Sequence, residues 1–282
     1  MKVKILCDST MDISPKVKEK YGIGINPLTI VLGDKAYKDG VEISPKEIFD
    51  FVGAGKGTSK TTAINIEEYR EFYSKHIDGD TSGIVHLILS SELSAGYFNS
   101  MIAAEEFDNV FPIDSMSLST GGGWLAIYAA ELADEGRSAA EIAQIIKAKA
   151  ANVDASFVVD TVDYLRAGGR CGGLAAFGAN LLGLHPCLEL RGGKIEVGKK
   201  YRGNIKKVIR QYVEEKLKDV QGIDPRRAIV SHTFFDDPEF VEEIIGLVGT
   251  YQPFKEILNC PAGCTISNHC GPGTLGVLFC MR

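Results

Sequence analysis

Apolar runs of strand length alternate with amphipathic stretches of helix length along most of the chain, and this alternation restricts the fold more than any other feature. "VKILCD" reads as a first strand, and "SPKVKEKYG" as a short helix with Ser14 at its cap and Pro15 in its first turn. "INPLTIVLGDKAY" predicts a hairpin, and "SPKEIFDFV" and "NIEEYREFYSKH" predict helices. "GIVHLILS" predicts a buried strand, and "NVFPID" a further strand after an intervening helix. The order is α/β, with a mostly parallel sheet.

Two helical runs follow, "SLSTGGGWLAIYAAELADEG" and "SAAEIAQIIKAKAAN", before "ASFVVD" opens a second series. A boundary between two α/β domains is expected near Asn152, giving residues 1–152 and 153–282. In the second, "HPCLELRGGKIEVGKKY" reads as a hairpin joined at "RGG", followed by a helix from about Asn204 to Lys218. "RRAIVSHT", the helix "DPEFVEEIIGLVG" and the terminal strand "TLGVLFC" complete it, in mixed order with helices on one or both faces.

With 282 residues, 45% of them hydrophobic, the chain can bury a substantial core. Its net charge of −6 would repel a phosphate backbone, which argues against nucleic acid as a partner. No stretch is long and apolar enough to span a bilayer, and the opening "MKVKILCDST" lacks the apolar core and cleavage site of a signal peptide. Seven scattered cysteines, an odd number, point to free thiols in a reducing cytoplasm.

The candidate chemistry centres on "SSELSAGY", Ser90 to Tyr97, where hydroxyls crowd the junction between a strand and a helix beginning near Ser94. Unpaired N–H groups at such a start favour an anion, although a serine there is also an ordinary cap. "NHCGPG" sets His269 among turn residues, so a loop position with some exposure is expected, from which it could donate to an acid. "GKGTSK" lacks the spacing of a phosphate loop and reads as a loop in which Thr58 and Ser59 begin an extended segment. Cys260, Cys264 and Cys270 with His269 fit no common zinc spacing. Arg170 and Arg202, near glycine turns, are either anion clamps or solvated charges. Ser94, Asp114 and His269 stand in the chain order of α/β-hydrolases, but Glu92 occupies the first glycine position of a nucleophile elbow. The glycines Gly121 to Gly123 and the segment "GGLAAFGANLLG" permit close approach of a slender ligand or of another helix.

Taken in order, "CDSTMDIS", "INPLTI", "GTSK", "SSELSAGY", "DSMSLSTGGG", "YLRAGGR", "GLHPCLELRGGKI", "YRG" and "HCGPG" resemble the DegV family of bacterial fatty-acid-binding proteins over nearly the whole length. The resemblance implies two α/β domains with a fatty acid in an apolar tunnel at their interface, its carboxyl group bound by hydroxyls. It also implies a partner, an ATP-dependent fatty acid kinase to which the lipid is presented, and neither cofactor nor metal nor catalysis by the chain itself. Carried over by position, the ligand-binding residues are Thr58, Ser59, Ser94, Ala95, Arg202 and His269, supported by Arg170, Gly96 and Thr62. Three departures stand out: Lys60 replaces a glutamine, Ala95 and Gly96 replace Gly-Thr, and Cys171 replaces an apolar residue. Tail burial at about 0.8 kcal/mol per methylene can dominate the affinity, so the head group needs only to be satisfied.

Overall fold

The structure is a computed structural model that describes residues 2–172, 183–233, 235 and 237–282. Most of "GGLAAFGANLLG" therefore lies outside the described residues. The chain opens with β1 (Lys2–Asp8), a 3-10 turn (Ser9–Met11), α1 (Pro15–Tyr21), β2 (Gly24–Asn26), β3 (Thr29–Leu32) and β4 (Lys35–Lys38). It continues through α2 (Pro45–Gly53), β5 (Ser59–Thr62), α3 (Ile66–His76), β6 (Thr81–Ile88) and α4 (Gly96–Ala104). Next come β7 (Val110–Asp114), α5 (Ser119–Asp134), α6 (Ala139–Ala150), β8 (Val153–Asp154), β9 (Ser156–Val158) and α7 (Asp163–Gly168). The remainder is β10 (Leu184–Arg191), β11 (Lys194–Arg202), α8 (Ile205–Leu217), β12 (Ile223–His232), α9 (Pro238–Tyr251), β13 (Glu256–Pro261), α10 (Cys264–Cys270) and β14 (Leu275–Met281).

The first sheet is parallel throughout, in the order β2-β1-β6-β7. Its buried strands are coated on both faces, and the period-two alternation of side chains decides which residue goes where. Ile5, Cys7, Val85 and Leu87 pack on α5 and α6, while Leu6 and Ile84 meet Tyr69, Phe72 and Tyr73 of α3. The second sheet is mixed, in the order β11-β10-β9-β14-β12-β13, with β8 also on β14. Tyr212 of α8 and Phe240 of α9 cover one of its faces. Helix α5 packs against both sheets: Trp124 is buried and donates its Nε1–H to the Arg227 carbonyl at 3.1 Å.

The first sheet is parallel and the second mixed, as the sequence predicts for each half. The predicted hairpin β3–β4 takes β5 as a third antiparallel strand, making a separate small sheet. The glycines of α5 serve protein contact. A Cβ on Gly122 would lie 2.0 Å from Met11 Sδ, so the bare backbone is what lets the 3-10 turn seat on the helix. All seven cysteines are buried and reduced, and no described helix is long and apolar enough to cross a membrane.

Candidate functional site

A cavity of about 820 Å³, counted with its open mouth, lies beyond the carboxyl end of β6, where Leu89 and Leu93 line it. Leu28, Leu89, Leu93, Leu118, Leu165, Ile195 and Ile266 form its apolar wall. Thr61 and Thr62 of β5, Ser94 and Ala95 before α4, Thr265 and His269 of α10, and Arg170 after α7 supply its polar atoms. Leu118, Ile266 and Cys270 also border a small adjoining chamber that reaches Phe157 and Leu278.

The crowded hydroxyls of "SSELSAGY" have separate tasks. Ser90 Oγ donates to the Gly193 carbonyl at 2.8 Å, tying the β10–β11 turn to the first sheet. Ser91 Oγ donates to Asp114 Oδ2 at 2.5 Å and fixes the loop after β7. Ser94 faces the cavity, its Oγ accepting the Gly96 N–H at 3.2 Å while its own proton stays available to donate. Helix α4 starts two residues after it, with Ala95 as cap, and Gly96 is buried just behind the lining, against the Tyr69 hydroxyl.

His269 departs from the expected loop position. It is the sixth residue of α10 and mostly buried, because the turn residues Gly271 to Gly273 follow it and end the helix instead of surrounding it. Its Nε2 lies 2.9 Å from Thr61 Oγ1, whereas its Nδ1 is buried without a hydrogen-bond partner. An orphaned acceptor is tolerated better than an orphaned N–H, which favours the tautomer protonated at Nε2. Nε2–H then donates to Thr61, and the threonine proton is left for the cavity.

Burial, and secondarily the nearby Arg170 charge, lowers the His269 pKa to about 4. Below pH 6.5 an unfolded chain takes up a proton on this ring that the folded chain refuses. Stability is therefore retained above about pH 6.5 and lost as pH falls toward 4, by at most about 3 kcal/mol. Urea denaturation of the wild type and of His269→Gln across that window is expected to show the slope in the wild type and its absence in the variant.

Of the sequence-derived site residues, Ser94, Ala95, Thr62, Arg170 and His269 are brought together on one cavity. Ser59 adjoins them, donating to Asn268 Oδ1 beside His269. Thr58 is exposed outside the lining, as is Arg202 at the end of β11. Lys60 is exposed on β5, and Cys171 is buried with its Sγ 3.7 Å from the Ile195 carbonyl. Thr61 was missed, although strand alternation from Ser59 sets it on the same side. The hydrolase triad does not assemble: Asp114 engages Ser91 and the Met116 N–H, and His269 engages Thr61. No group of three metal-ligating side chains exists among the described residues.

The architecture and the cavity, an apolar wall with hydroxyls and an imidazole in its lining, define a mixed α/β protein with a ligand-sized pocket. The DegV family model matches residues 2–282, and the chain belongs to that family. A DegV domain-containing protein of Streptomyces coelicolor is 33% identical over 99% of each chain. A protein of Thermotoga maritima named as a fatty acid-binding protein is 32% identical, over 98% of this chain and 96% of that one. The structure of a DegV family protein from Thermus thermophilus, described as binding fatty acid, superposes with a TM-score of 0.89 at 28% identity, over the whole of both chains.

Proposed function

We propose that this protein binds a long-chain fatty acid and presents it, without chemistry of its own, to a separate fatty acid kinase in the cytoplasm. The observation that carries the reading is the cavity itself, with a wall of seven leucines and isoleucines and the donors Thr61, Ser94 and His269 in the same lining. The hydroxyls of Ser94 and Thr61 each have a proton to give, and a carboxylate is satisfied by such donors when buried. Neutral donors hold it without quenching its nucleophilicity, which suits an acid that a kinase must phosphorylate. The relatives named for fatty-acid binding support the same ligand class. Thr58, Ser59 and Arg202, outside the lining, are proposed to act at the mouth or toward the partner. The two lobes, residues 1–152 and 153–282, are proposed to enclose the tail between them.

The test is mass spectrometry of small molecules released on denaturing the purified protein, which is expected to yield a fatty acid. Ser94→Ala is expected to bind added palmitic acid about tenfold more weakly, the loss of one hydrogen bond to a charged group. A fluorophosphonate probe is expected to leave Ser94 unlabelled. Labelling with turnover of an ester would instead favour the hydrolase.

A further inference from the structure

Helix α10 contributes Thr265, Ile266, His269 and Cys270 to the cavity, yet it spans only Cys264–Cys270. A helix that short has little stability of its own. Its start is held by two acidic side chains from the far end of the sequence. Asp39 Oδ1 accepts the Cys264 N–H at 2.8 Å, and Oδ2 accepts the Thr265 N–H at 3.1 Å and the Thr265 hydroxyl at 2.6 Å. Asp12 Oδ1 accepts the Gly263 N–H at 2.8 Å. Three N–H groups that a helix start leaves unpaired are thereby satisfied.

Each acid is itself braced. Ser9 Oγ donates to Asp39 Oδ2 at 2.9 Å. Ser119 Oγ donates to Asp12 Oδ2 and lies 3.1 Å from Ser231 Oγ. Asp12 is 5% and Asp39 4% exposed, so both are dry. Asp12 and Ser119, hydrogen-bonded to one another, also have φ of +48° and +50°, a left-handed region costly for residues with a Cβ. Such strain persists where the surroundings over-determine it, and it gathers at functional sites. An ordinary helix start is served by one side chain. Here two buried acids and a strained pair serve one short helix, whose other end brings Asn268 to Ser59 and His269 to Thr61.

We propose that Asp12 and Asp39 are positioning residues of the head-group pocket: by fixing the start of α10 they set the reach of Asn268 and His269 toward β5. The proposal rests on the fatty-acid reading above. Its test uses the full chain, titrated calorimetrically with palmitic acid and with hexadecanol, which has the same tail and no carboxylate. Asp39→Asn keeps the size of the side chain but turns an amide NH₂ toward groups that themselves donate. It is expected to weaken palmitic acid about tenfold while leaving hexadecanol unchanged, and to shift the His269 imidazole resonances. Ser9→Ala removes a single donor to Asp39 and is expected to act in the same direction more weakly, which covers failure of Asp39→Asn to fold. If stability falls while the ratio of the two affinities keeps its wild-type value, the two acids serve the fold alone and the proposal is overturned. If the wild type itself does not prefer the acid to the alcohol, the head-group reading fails first and the proposal falls with it.

Discussion

Gly168→Ala is expected to reduce fatty-acid affinity tenfold or more and to destabilise the fold by about 1–2 kcal/mol, although alanine is the better helix former by about 1 kcal/mol. Gly168 closes α7 directly over His269, and a Cβ there would lie 2.2 Å from Nδ1 and 3.0 Å from Cε1. The ring cannot withdraw cheaply, since its other nitrogen is held by Thr61 and its helix is clamped at the start. The neighbouring Gly169 is the control. Its φ of +67° makes alanine strained there, but a Cβ would meet nothing within 4 Å, so Gly169→Ala is expected to cost stability and leave binding intact. Thermal denaturation and palmitic acid titration of the two variants separate backbone strain from displacement of the imidazole. Equal loss of binding in both would remove His269 from the site.

The alternation of strand and helix is legible in the sequence because each element carries its own period. Ile5 and Cys7 go one way and Leu6 the other, and Ser14 caps α1 through the Val17 N–H. What the periods omit is which strands meet. Nothing local to "GTSK" says that Ser59 to Thr62 will pair with the earlier hairpin, yet that pairing faces Ser59 and Thr61 toward α10. The misplacement of His269 has a similar origin. Glycine and proline mark a boundary without saying on which side the ordered element lies, and here the helix lies before them. The acids that anchor α10 were silent for a third reason: nothing local to Asp12 or Asp39 sets either apart, and only their pairing with an N-terminus more than 220 positions away gives them a task.

Chain length is where the largest change in affinity is expected. If the carboxylate sits near Ser94 and Thr61 as proposed, each added pair of methylenes buries more tail, contributing about 1.6 kcal/mol or roughly fifteenfold in affinity. Lauric, myristic and palmitic acids are therefore expected to form a steep series. The gain must stop where the cavity does. In the proposed pose a tail reaching past Leu118, Ile266 and Cys270 would meet the small adjoining chamber bordered by Phe157 and Leu278, and a tail that has filled both has no further apolar surface to cover. Ala262 also borders that chamber, so Ala262→Leu is expected to move the plateau to shorter acids, while Ile266→Ala opens the neck and moves it to longer ones. Competition titrations across the series in the three proteins read the plateau directly. Equal affinities for lauric and palmitic acid in the wild type would mean that the tail lies outside this cavity, and the ligand would then have to be recognised by its head group alone.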